Sequence, residues 1–191
     1  MVLRMKISCR PRILVLCLLI LAVGAAQAGS YNLVISKSER LLKVREGDKL
    51  IKEYHISFGK GGKGAKREMG DNKTPIGIYH VIGFKPDSKF YYFMQLDYPN
   101  LIDAWHGYMD RLISARQFRA IAVAYHDGGL PPQDTMLGGY IGIHGIGEVT
   151  PKKLEIHSIF NWTDGCIAMR NREIKELRRF VTLGTRVTIT E

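Results

Sequence analysis

Cysteine is scarce in this sequence, with three in 191 residues. Cys9 and Cys17 fall in an N-terminal stretch that reads as a secretory signal. Arg4, Lys6, Arg10 and Arg12 form its basic region, Ile13 to Val23 its apolar run, and Ala26-Gln27-Ala28 a small-x-small cleavage pattern. The apolar run is well short of the roughly 20 residues a membrane span needs; an uncleaved anchor is the weaker alternative. Cleavage after Ala28 leaves residues 29–191 as one domain with its own core. Cys166 is then the one remaining thiol, so no intramolecular disulfide can form. No run of cysteines and histidines has a usual zinc spacing. Repeats, nucleic-acid motifs and low-complexity tracts are absent beyond one Gly/Lys-rich loop. Acidic residues are outnumbered, 18 against 28 lysines and arginines, for a net charge of +10. Removal of the signal lowers this to +6, a moderate excess that suits an anionic surface or ordinary solubility equally.

A lone thiol in an oxidising compartment is exposed to oxidation and mixed disulfides. It is therefore expected either buried as a small hydrophobe or used. The polar Thr163-Asp164 and Gly165 before Cys166 argue against a dry core. A thiolate attacks well when an imidazole takes its proton and backbone N–H groups hold the resulting oxyanion. His144 and His157 are the candidate bases, with Gly142-Ile143-His144-Gly145 allowing close backbone approach. His144 and Cys166 are 22 residues apart, so only the fold can bring them together.

In chain order, Tyr31–Ser36, Leu41–Arg45 and Leu50–Phe58 read as an antiparallel meander. Gly59 to Gly70 reads as a mobile loop bordering a groove. Its Gly59-x-Gly61-x-x-Gly64 superficially matches a dinucleotide fingerprint, but no amphipathic helix follows and the βαβ context is missing. Pro75 predicts a strand start, with strands over Ile76–Phe84 and Phe90–Leu96. Tyr91, Tyr92 and Phe93 are core aromatics or groove lining. Asp103 to Tyr125 is helical, with Ser114-x-x-Gln117 as a capping box. Gly138 to Ile146 is a buried strand, Thr150 to Phe160 an irregular loop, and Asn171 to Leu183 a helix capped by Asn171. Arg186 to Thr190 closes the sheet.

Four motifs together resemble one family. His144-Gly145, Thr163-Asp164-Gly165-Cys166-Ile167, Thr74-Pro75-Ile76-Gly77 and Gly184-Thr185-Arg186-Val187 are similar to the signatures of the L,D-transpeptidase catalytic domain (YkuD-like), over nearly all of residues 29–191. The resemblance implies a mainly β fold with helices: a β-sandwich with a helical insertion and a C-terminal helix. It implies a periplasmic enzyme that makes a thioester on Cys166 from the tetrapeptide stem of peptidoglycan, with no cofactor and no metal. His144 is then base and acid, the Gly165 backbone an oxyanion donor, and the Gly145 carbonyl the group that orients His144. Thr163, Asp164, Arg170 and His157 are the candidate substrate contacts. The acyl acceptor is a neighbouring stem amine, a lipoprotein lysine or water. Asp164 stands where the family has a histidine, and Ala168 where it has arginine or asparagine. Three rivals remain: a wall hydrolase using the same thiol, a zinc hydrolase with His144, His157 and Cys166 as ligands, and a non-catalytic wall-binding module.

Overall fold

The computed structural model describes residues 31–191. The expected signal and its cleavage point lie outside the described residues. Eight strands and four helices follow one another, and the strands lie in the order β3-β2-β1-β8-β4-β5-β6-β7. β1 (Tyr31–Ser36), β2 (Leu41–Glu46) and β3 (Lys49–His55) form the expected antiparallel meander. β8 (Arg186–Thr190) does not close an edge. It lies in the middle of the sheet, parallel to β1 and antiparallel to β4 (Gly77–Lys85). β4 pairs in turn with β5 (Phe93–Leu96), so it belongs to both halves of the sandwich.

Alternation along the strands builds the core. Leu33 and Ile35 of β1, Tyr79 and Val81 of β4, and Val187 and Ile189 of β8 are all buried. Burying each such side chain stabilises by about 1.5–3 kcal/mol. Helix α4 (Asn171–Leu177) adds Ile174 and Leu177 to the same core. It is shorter than expected, and its N-cap position is Arg170, whose N–H donates to Glu173 Oε2 at 3.0 Å. Asn171 is used differently: its Nδ2 donates to the Gly147 carbonyl at 2.7 Å and pins the chain just beyond His144.

The helical insertion is α1 (Leu101–Met109) and α2 (Ala115–Asp127), with its own small core of Ala104, Ile113, Ile121 and Leu137. The Ser114–Gln117 capping box is present. A second box joins Asn100 and Asp103 at the start of α1.

Residues 151–159 depart from expectation. They are a helix, α3 (Pro151–Ile159), not a loop. Thr150 Oγ1 accepts from Lys153 N at 3.2 Å, and Pro151 sits in the first turn, where its missing N–H costs nothing. At the other end the Arg40 guanidinium donates to the carbonyls of Ser158 and Ile159 at 3.2 and 2.9 Å, a cation on free helix carbonyls. The helix escaped notice because Leu154, Ile156 and Ile159 do not line up as one stripe.

The Gly/Lys loop is likewise tied down. Lys37 Nζ donates to Gly64 O at 2.7 Å and pairs with Glu191 at 2.9 Å. Buried Lys66 pairs with Asp71 at 2.9 Å.

Candidate active site

β6 (Gly142–Gly145) carries His144, and β7 (Ile167–Met169) begins immediately after Cys166. The two strands run parallel, with His144 opposite Ala168 and Ile143 opposite Ile167. Parallel neighbours need a crossover, and α3 is that crossover. A β-α-β unit therefore closes the 22-residue gap. Strand alternation puts Cys166 on the same face as Ala168, and hence as His144. One further step in register sets Gly142 opposite Cys166, near enough for its backbone to pull the thiol pKa down.

His144 is 1 % exposed. Its Nδ1 lies 2.6 Å from the Gly145 carbonyl oxygen. A carbonyl only accepts, so Nδ1 carries the proton and Nε2 of the neutral ring is left as the acceptor. Phe90 stacks on the imidazole at 4.2 Å, Phe93 lies parallel at 6.2 Å, and Trp162 meets it edge-on at 6.0 Å. Burial in this aromatic box pulls the His144 pKa down to about 4, against the Gly145 bond, which raises it. The Cys166 thiol is pushed up to about 11, first by burial and then by Asp164, while the Gly142 backbone and Lys66 pull it down. At neutral pH the resting pair is thiol and uncharged imidazole. Cys166 Sγ donates to the Tyr140 carbonyl at 3.4 Å.

The turn before Cys166 is built tightly. Thr163 Oγ1 accepts from Gly165 N at 3.2 Å and donates to Cys166 O at 2.6 Å. Thr74 Oγ1 donates to Gly165 O and accepts from Gly59 N, both at 2.9 Å. That one buried hydroxyl joins the strand ends after β3, before β4 and before β7. Gly165 has φ +131, and a Cβ there would stand 2.8 Å from Lys73 O and 3.0 Å from Ile141 Cδ1. Both the conformation and the space require glycine. The segment after β3 pairs with β7 through Ser57–Ala168 and Gly59–Thr163 bridges, which bring the two ends of the sheet together at this turn.

Two residues expected at the substrate lie inside the protein. Thr163 is 3 % exposed, with its hydroxyl committed to the turn. His157 is 1 % exposed on α3, where Trp162 Nε1 donates to its Nδ1 at 3.4 Å and its Nε2 has no partner among the described residues. Burial, followed by nearby His55 and the arginines, lowers the His157 pKa to about 4. Asp164 and Arg170 are exposed. Asp164 Oδ1 pairs with Lys60 Nζ of the Gly/Lys loop at 2.8 Å. Among the described residues no group of three His, Cys, Asp or Glu side chains is arranged to hold a metal ion, so His144, His157 and Cys166 do not form a ligand set. Sequence reasoning did not single out Thr74 for its bonding, Tyr140 for its carbonyl or Phe90 for its stacking. Of these only Thr74 carried a local signal, through Thr-Pro-x-Gly.

A tautomer-fixed imidazole on one strand and a thiol just ahead of its parallel neighbour, in a mainly β fold, define the class. The chain belongs to the L,D-transpeptidase catalytic domain family, YkuD, whose family model matches residues 30–189. Among individual proteins it is 32 % identical over 154 residues to YafK of Escherichia coli (strain K12), whose description places it provisionally among the L,D-transpeptidases; the match covers 78 % of this chain and 46 % of YafK. The chain thus spans about half the length of the curated relatives it matches. Two solved structures share the fold. The helical cell shape determining protein Pgp2 from Campylobacter jejuni matches with a TM-score of 0.55 and 24 % identity, over 85 % of this chain and 48 % of Pgp2. Bd1075 from Bdellovibrio bacteriovorus matches with a TM-score of 0.53 and 24 % identity, over 85 % and 48 %. Among the described residues no helix is long and apolar enough to cross a membrane.

Proposed function

We propose that this chain is an exported, periplasmic cysteine acyltransferase acting on peptidoglycan stem peptides, with residues 1–28 as its signal and residues 29–191 as its catalytic domain. The observation that carries the reading is the pairing of β6 with β7, which sets His144 and Cys166 on one sheet face with Nε2 of His144 free to accept. Because the resting pair is uncharged, proton transfer accompanies attack instead of preceding it. His144 Nε2 takes the Cys166 proton as sulfur adds to the carbonyl between the third stem residue and terminal D-alanine. The Cys166 N–H, assisted by Gly165 N–H as it leaves Thr163, stabilises the oxyanion. His144 then returns the proton to the departing D-alanine amine, and the thioester remains. An acceptor amine or water, deprotonated by His144, attacks the thioester and restores the thiol.

Within this scheme Thr163, Thr74 and Gly145 are positioning residues. His157 acts through Trp162 on the wall of the imidazole box. Asp164 and Arg170, the exposed members of the set, face the substrate. The acceptor is a stem amine, giving a 3→3 cross-link, or a lipoprotein lysine, with water as the hydrolytic alternative.

The test is incubation of the protein with tetrapeptide muropeptides, with Cys166→Ala as control, read by mass spectrometry. Cys-dependent loss of D-alanine with 3→3 dimers is the expected result. Cys-dependent tripeptide without dimers assigns water as acceptor. No difference from a folded Cys166→Ala control overturns acyl transfer on this substrate.

A further inference from the structure

Helix α1 turns an apolar face outward. Ile102 is 64 % exposed, Trp105 51 %, Tyr108 41 % and Met109 59 %. At 100° per residue these four fall on one arc, while Asp103, Ala104 and Gly107 occupy the buried side. Gly107 is where α1 presses onto the insertion core: a Cβ there would stand 2.4 Å from Leu137 Cδ2. The helix is held by its opposite face, and the outward residues contribute little to folding. Nor are they loose. Trp105 and Tyr108 both lean on Phe118 of α2, at ring distances of 6.5 and 5.5 Å. Beside them a concavity of about 550 Å³ is lined by Tyr108, Met109, Arg111, Leu112, Ile113 and Ser114.

The charge around this face is of one predominant sign. Arg111 follows α1, Arg119 comes directly after Phe118 on α2, and both are exposed. Neither has an ion-pair partner among the described residues, and Asp110 is the single exposed acid between Trp105 and Arg119. A helix face of Ile, Trp, Tyr and Met bordered by free arginines has the composition of a segment that lies in a membrane interface. Rings sit there at headgroup depth, and guanidinium groups reach phosphates. Met109 and Ile102, side by side on the arc, favour hydrocarbon over a purely polar polymer.

We propose that the α1 face with Arg111 and Arg119 docks the protein on an anionic phospholipid bilayer, α1 lying in the plane of the surface. The docking does not depend on the reaction assigned to Cys166. It holds the domain at the membrane surface, and its strength depends on lipid charge and on salt.

The sequence has two tryptophans, Trp105 and Trp162. The full chain carrying Trp162→Phe therefore reports on Trp105 alone. It is mixed with phosphatidylethanolamine vesicles containing phosphatidylglycerol, plain or brominated on the acyl chains, and with vesicles containing phosphatidylcholine instead. The expected result is a blue shift of Trp105 and its quenching by the brominated lipid, only in the anionic vesicles. Ile102→Ser and Met109→Ser, both at exposed positions, each weaken partitioning about tenfold. Arg111→Gln and Arg119→Gln each weaken it about fivefold at low salt. Sedimentation with vesicles while Trp105 emission stays unchanged overturns the proposal, because attachment then runs through another segment. A shift without vesicles that tracks dimer formation in sedimentation velocity overturns it in favour of a second copy. Equal binding to phosphatidylcholine vesicles overturns the role of the arginines.

Discussion

The Gly145 carbonyl oxygen sits 2.6 Å from Nδ1 of the residue before it, His144. A backbone acceptor here does the work that a carboxylate does in other nucleophile–imidazole sites: it fixes the tautomer and leaves Nε2 for the thiol. It adds no negative charge, and its upward pull on the His144 pKa is outweighed by burial, so the ring rests uncharged. Replacement of His144 by Gln therefore removes the base while keeping a polar group. Acylation is expected to fall by about two to four orders of magnitude, measured as the rate of covalent adduct formation by intact-protein mass spectrometry. Retention of wild-type acylation would refute the assignment of His144 as base.

Gly145 tests the orientation separately. A Cβ there would stand 2.6 Å from Asn171 Oδ1 and 2.7 Å from Phe90 O, so Gly145→Ala must shift the backbone that holds Nδ1. Nitrogen-15 NMR of the His144 ring is expected to show loss of the single Nδ1–H tautomer, together with slower acylation. An unchanged tautomer with unchanged rate would show that this carbonyl is dispensable.

The high thiol pKa is directly measurable. Alkylation of Cys166 by iodoacetamide is expected to be slow at neutral pH and to rise with an inflection far above 8.5, near 11. Asp164→Asn removes one of the groups that raise it, so the inflection should move down. An inflection between pH 6 and 7 would instead reveal a preformed thiolate–imidazolium pair.

Thr74→Val keeps the shape of the side chain and deletes the hydroxyl that bonds Gly165 O and Gly59 N. Both backbone groups then lie without that partner, at a cost of about 1–3 kcal/mol. Chemical denaturation should show that loss, and acylation should slow because the turn presenting Cys166 loosens. A variant as stable and as fast as wild type would leave Thr74 with no positioning role.

Acid should weaken the fold through two imidazoles. His144 and His157 ordinarily titrate near 6.5, and burial lowers both to about 4. The unfolded chain therefore binds protons between pH 6.5 and 4 that the folded chain refuses. Their contribution is full above pH 6.5 and is lost as pH falls through 4, by up to about 3 kcal/mol for each ring. Buried Asp103, raised to about 6, works the other way over pH 4 to 6 and offsets part of the change. Denaturation curves at pH 7, 5 and 4 should show a net decline, and His144→Phe should flatten it. Stability that rises down to pH 4 would contradict the burial of neutral rings.

The sequence was most readable where local chemistry forces the outcome. β-branched and aromatic content predicted the first strands, the Gly184-Thr185-Arg186-Val187 resemblance the last, and the Ser114–Gln117 box marked the start of α2. Thr150-Pro151 was an equally good start signal, yet α3 was read as a loop because its apolar residues form no stripe. The helix is held from outside, by Arg40 on its last carbonyls, and a capping residue more than 100 positions away leaves no trace in the local pattern. Thr163 was expected at the substrate as a member of the motif, and His157 as a stand-in for the imidazole that Asp164 replaces. Proximity in sequence said nothing about which way each side chain turned.

The order of residues by itself determined which groups can react: a single thiol outside the N-terminal stretch, glycines on either side of the chemistry, and a histidine followed by the carbonyl that fixes its tautomer. These are properties of residue type and immediate neighbours. The tertiary structure decided what those groups are. It brought His144 and Cys166 onto one face through a parallel crossover. It buried the imidazole, left the thiol partly exposed but largely desolvated, moved their pKa values in opposite directions, and drew Thr74, Tyr140 and Phe90 in from separate segments. Burial and long-range pairing arise only once the sheet has closed on itself, so the protonation state of the pair is a property of the fold.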